Sequence, residues 1–208
     1  MAHSESALHS KQLPPHPETA TLEGKNKFLS FWLFLGGETA LFATLFGTHI
    51  GLRGSVAAGP GPAELFQLPM VAAATFILLL SSFTSVLAIM AMKENKVRSM
   101  QLWFFVTMLL GLAFLGLEIY EFTEYVHEGL TLQVSAFASS FYMLVGTHGG
   151  HVLFGVLWFA ALLIRNFNRG INTYNAPKYY VAALFWHFVD LVWVFIFTAV
   201  YLMGKVAS

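Results

Sequence analysis

The ten residues from Gly146 to Gly155, Gly-Thr-His-Gly-Gly-His-Val-Leu-Phe-Gly, put two histidines and four glycines inside a long apolar run. Glycine weakens a helix and imidazole resists burial in hydrocarbon, so a lipid-facing helix seldom carries both. The economical reading is a membrane helix packed closely on its neighbours, with its imidazoles turned inward. His148 and His151 are three apart and so share a helix face, about 60° from each other. Such a pair could supply part of a metal site. Zinc and di-iron centres, however, draw several ligands with carboxylates close by, commonly as Glu-x-x-His on more than one helix. No such set repeats here, so interhelical hydrogen bonding is the stronger reading. A b-type haem held between facing helices is the sharper rival, because His49, His148, His151 and His187 all fall within apolar spans.

Glu38 lies in Phe34-Leu-Gly-Gly-Glu-Thr-Ala-Leu-Phe42, about ten residues into the first apolar span. A carboxylate at that depth costs several kcal/mol, so Glu38 is expected to be protonated, paired or turned to a polar pocket. His187 and Asp190 share a face within Trp186-His-Phe-Val-Asp-Leu-Val-Trp193, and a direct hydrogen bond between them would ease the burial of both. These five groups, Glu38, His148, His151, His187 and Asp190, are the buried polar candidates for proton-related roles. Glu118, Glu121, Glu124 and Glu128 run toward the outer end of the third span. That run reads as largely interfacial, with Glu118 and Glu121 able to turn inward.

The elements that must position these groups follow from composition. Of the 208 residues, 57% are hydrophobic and only 11% charged, and the mean hydropathy is +0.66. A soluble domain of this size does not look like that. The formal net charge is zero, so no basic surface points to nucleic acid. There is no cysteine, which removes disulfides, thiolate metal sites and covalently attached haem. No phosphate-binding loop and no nucleophile elbow is present.

A helix needs about 20 apolar residues to cross a bilayer. Five stretches qualify, at about 28–52, 68–92, 101–122, 137–164 and 179–203. The expected fold is therefore an all-α membrane protein, a bundle of five transmembrane helices behind a flexible polar N-terminal arm, 1–27. That arm and the connections after spans two and four hold nine lysines and arginines, against Arg53 and Lys205 on the other side. The imbalance predicts a cytoplasmic N-terminus and an outside C-terminus. Small residues four apart at Gly36/Ala40, Ala43/Gly47/Gly51 and Gly146/Gly150 predict close helix packing. A proton or small-solute carrier is a third possibility, but no inverted repeat or pair of broken helices supports it.

Taken together, the segments GGETALF, LGLEIYEF, GTHGGHVLFG and WHFVDLVW…F…YLMG resemble subunit III of haem–copper terminal oxidases. The resemblance runs from about Gly24 to Gly204. The TLEGKNKFL start and the SMQLW entry to span three look most like bacterial cytochrome c oxidases. Quinol oxidases have closely similar third subunits and are the alternative. The resemblance implies an accessory, non-catalytic subunit in a bacterial plasma membrane. Its partners would be subunit I as main contact, subunit II and a small subunit IV. No cofactor would lie in this chain, while haem and copper would sit in subunits I and II, where O₂ is reduced and protons are pumped. Family members of this kind stabilise subunit I against inactivation during turnover and support its proton uptake. Glu38 matches the family's buried glutamate associated with carbodiimide labelling. Glu38, His151 and Arg165 match positions lining a cleft that holds membrane phospholipids in larger members. Seven-helix members have two further N-terminal helices walling that cleft. With five spans, the expectation here is that the wall is absent or supplied by another subunit.

Overall fold

The computed structural model describes residues 16, 19–56, 66–167 and 170–206. Most of the expected polar arm, 1–15 and 17–18, lies outside them. The described residues form helices without strands: α1 Leu22–Leu52, α2 Leu68–Lys93, α3 Val97–His127, α4 Ala136–Asn166 and α5 Ala176–Ile196. A π-helical turn, Phe197–Leu202, and a last short turn, Met203–Val206, continue α5. All five helices are long and apolar enough to span a membrane. The protein is a multi-pass membrane bundle.

The helices outrun the apolar stretches because their ends are set by caps and turn chemistry rather than by hydrocarbon thickness. Thr21 caps α1 by accepting from the Gly24 N–H, so residues 22–27 are helix and not arm. Ser135 does the same for α4 through the Ala138 N–H. Pro69 and Pro177 sit in the first turns of α2 and α5, where the missing N–H has no intrahelical partner to lose. The acidic stretch after the expected third span, 123–127, is helical, with α3 running through His127. There α3 stops on Gly129 at φ 93, with the Leu130 N–H donating to Tyr125 O and the Gly129 N–H to Val126 O. Asn95, at φ 57, ends α2 by the same left-handed closure.

At the centre stands α5. Trp186 is fully buried, and its indole lies between Gly111 of α3 and Gly155 of α4. A methyl on either glycine would come within 2.6 or 2.8 Å of the ring. These two glycines let three backbones converge on one indole. The stripes expected to pack most closely do not: a Cβ at Gly36, Gly47, Gly51 or Gly150 would meet open space, and one at Gly146 only an ordinary contact at 3.8 Å. Four-residue spacing identifies a face, but the bulk opposite decides whether that face needs glycine.

Hydroxyls on α2 fasten it to α5. The Trp186 Nε1–H donates to Ser81 Oγ at 3.0 Å, and the Trp193 Nε1–H donates to Thr75 Oγ1 at 3.0 Å. Thr84 and Thr107 join α2 to α3 at 2.8 Å. Each such bond is worth on average about 0.6 kcal/mol within a membrane. Together they fix rotation and register as much as stability. By contrast α1 lies at the rim, buried only along Gly24, Phe31, Leu35, Phe42 and His49, a narrow seam against α4 and α5.

Candidate functional site

Two polar contacts hold α1 on α4. His151 Nε2 and Glu38 Oε2 are 2.9 Å apart, and His49 Nδ1 and Ser140 Oγ are 3.1 Å apart. Both helices advance eleven residues between the contacts, in opposite directions, so the two pairs sit in one antiparallel register. His151 Nδ1 lies 2.7 Å from the Thr147 carbonyl. A carbonyl oxygen only accepts, so Nδ1 must carry a hydrogen there. The Nε2–Oε2 contact then requires one more proton, on either the imidazole or the carboxyl. Two tautomeric arrangements of one shared proton are thus available to the pair. Phe42 packs edge-on against the imidazole at 5.0 Å between centroids, and Phe185 stacks at 6.3 Å. Side-chain exposures of 20% for His151 and 18% for Glu38 leave the pair reachable from the groove beside it.

That groove runs along the α1–α4 seam. Beside His151 a cavity of ≈ 480 Å³ is lined by Phe34, Thr147, Gly150, Phe154 and Phe185. Phe34 also lines a second cavity of ≈ 850 Å³, which reaches Lys27, Arg165 and Lys178. His151 borders the smaller cavity and Arg165 the larger, and the two share Phe34 in one apolar channel. Glu38 lines neither cavity and meets this channel only through its bond to His151.

The other candidates separate. His148 is fully buried, yet neither ring nitrogen has a hydrogen-bond partner among the described residues. Its ring stacks on Trp193 at 5.0 Å and meets Phe114 edge-on at 5.8 Å. Interhelical hydrogen bonding thus describes His151 and not His148, which aromatic packing holds. His187 does not bond to Asp190 either, since its Nδ1 pairs with Ser82 Oγ of α2 at 2.7 Å. Both Asp190 oxygens lack hydrogen-bond partners among the described residues. The nearest polar group of α2 is Ser82, whose hydroxyl is already engaged by His187 Nδ1. Among the described residues no three His, Asp or Glu side chains converge as a metal-ligand set.

Glu118 and Glu121 do turn inward, each 6% exposed. The Glu118 carboxyl lies against the backbone at Gly149, where a methyl would overlap it. Glu121 accepts from Tyr125 O–H through Oε1 and from Tyr201 O–H through Oε2 at 3.1 Å. Sequence alone does not single out this buried carboxyl with its two phenols. The i, i+4 spacing of Glu121 and Tyr125 could have indicated half of it. Tyr201 could not be foreseen, because the π-helical turn adds a residue and rotates the rest of the helix by about 100°.

A mostly apolar five-helix bundle with a narrow polar seam defines a class, that of multi-pass integral membrane proteins. The sequence carries the more particular assignment. A family model described as cytochrome c oxidase subunit III matches residues 24–205. Cytochrome c oxidase subunit 3 of Bacillus sp. (strain PS3) is 63% identical over 205 residues, covering 98% of this chain and 99% of that protein. The Bacillus subtilis (strain 168) protein of the same name is 59% identical over 198 residues, covering 95% and 96%. A probable quinol oxidase subunit 3 of Staphylococcus haemolyticus is 50% identical over 192 residues, covering 92% and 96%. The chain belongs to the cytochrome c oxidase subunit III family.

Proposed function

We propose that this chain is the accessory, non-catalytic third subunit of a proton-pumping cytochrome c oxidase in a bacterial plasma membrane. Its main contact would be subunit I, with subunit II and a small subunit IV completing the complex. Haem and copper would reside in subunits I and II. The observation that carries the reading is the family match over residues 24–205, joined to a bundle of five helices each long and apolar enough to span a membrane. Identity is higher to the two Bacillus proteins than to the staphylococcal quinol oxidase subunit, which favours cytochrome c as the electron donor of the complex.

Within this role the Glu38–His151 pair sits between the seam that holds α1 in place and the apolar channel outside it. Phospholipid would lie in that channel, its phosphate near Arg165 and its chains along Phe31, Phe34 and Trp158. Loss of the pair would loosen α1 and the lipid together, and so expose subunit I to inactivation. Glu38→Ala in the assembled complex is expected to leave haem content intact and shorten the number of turnovers before activity decays. An unchanged turnover-dependent lifetime would remove Glu38 from the functional account.

A further inference from the structure

A second groove lies between α3 and α4, remote from the α1 seam, and enters neither the family resemblance nor the role proposed above. Its volume is ≈ 1220 Å³, and Leu102, Phe105, Leu163 and Ile164 are among the side chains that wall it. Gln101 closes one end by donating from Nε2 to the carbonyls of Phe167 at 3.1 Å and Asn166 at 3.3 Å, the carbonyls that α4 leaves free where it stops. Arg98 stands at that same end. It is exposed and has no ion pair among the described residues, whereas its neighbour Lys96 is paired with Glu94 at 2.7 Å. No side chain caps the start of α3, so the positive end of the helix dipole adds to the charge of Arg98.

An apolar trough at membrane depth, with a cation at its rim that no described residue neutralises, has the polarity of a lipid: hydrocarbon along the walls, anion at the end. We infer that this groove is a binding site for an anionic phospholipid. Its acyl chains lie on Leu102, Phe105 and Leu163, and its phosphate pairs with Arg98. A transmembrane helix of another subunit would bury the same walls but would leave the Arg98 charge unanswered. A zwitterionic lipid would answer it only in part.

The test uses the purified complex in phosphatidylcholine vesicles doped with a photoactivatable phosphatidylglycerol, with labelled peptides mapped by mass spectrometry. Labelling is expected on peptides covering 97–105 and 163–167, above the level on the exposed Phe76 and Phe83 face of α2, which serves as the ordinary lipid background. Unlabelled phosphatidylglycerol should compete and phosphatidylcholine should not. Arg98→Gln should lower groove labelling roughly fivefold, as expected for loss of one cation at the membrane surface, and leave the α2 background unchanged. Should that variant fail to assemble, the competition on the unaltered complex decides. Equal competition by both lipids, groove labelling no higher than background, or no groove labelling because another subunit covers it would each overturn the inference. None of those results would bear on the oxidase role, which haem content and turnover report separately.

Discussion

Glu121 shows how one buried carboxyl can set the stability of the half of the bundle next to the α3–α4 connection. Both of its oxygens are engaged, by Tyr125 on its own helix and by Tyr201 within the π-helical turn. Tyr201→Phe removes one donor and leaves one Glu121 oxygen unpaired, with an expected cost of about 1–2 kcal/mol. Glu121→Ala strands two buried hydroxyls and should cost more, at about 1–3 kcal/mol for each group left unsatisfied. Thermal unfolding of the detergent-solubilised chain measures both. A larger loss for Tyr201→Phe than for Glu121→Ala would show that the carboxyl is not the hub. At this scale the sequence was only partly legible. Residue type and depth marked Glu38 and His151 as buried polar groups, but pairing depends on rotation about each helix axis. That rotation is why His187 meets Ser82 and not Asp190, and why His148 faces rings.

Among elements, α5 is the post and α1 the clasp. Trp186 occupies the space that Gly111 and Gly155 leave open, so adding a methyl at either glycine overpacks the junction of α3, α4 and α5. Gly155→Ala and Gly111→Ala should each destabilise the isolated chain by about 1–3 kcal/mol. Gly36→Ala and Gly47→Ala, which meet open space, should stay within about 0.5 kcal/mol of the unaltered protein. Equal losses at all four positions in a chemical-unfolding series would contradict this packing. The five spans were readable because hydrocarbon thickness leaves a length signature that no tertiary contact can erase. The helix ends were less so: Thr21, Gly129 and the acidic corner continue or stop helices in the interface, where apolarity carries no information. The small-residue stripes on α1 were legible as a face but not as a contact, since among the described residues nothing lies within 4 Å of a Cβ at Gly36, Gly47 or Gly51.

For the whole molecule, the skew of nine basic residues against two predicts which end of the bundle faces the cytoplasm. The absence of cysteine makes this easy to check, because a single cysteine placed at Glu94 or at His127 is the only thiol present. In intact cells an impermeant maleimide should label His127→Cys and spare Glu94→Cys. The reverse pattern would invert the topology and place the Arg98 and Arg165 grooves in the other leaflet. What the bundle is for depends on the company it keeps. Its lipid-facing shell, its polar helix seams and its family membership all fit a supporting subunit. The most direct measurement of that claim is a reduced-minus-oxidised visible spectrum, recorded on the co-purified complex and on the folded chain expressed alone. A supporting subunit gives haem a bands from the complex and none from the isolated chain. A haem signal from the isolated, properly folded chain would contradict it and make His49, His148, His151 and His187 ligand candidates.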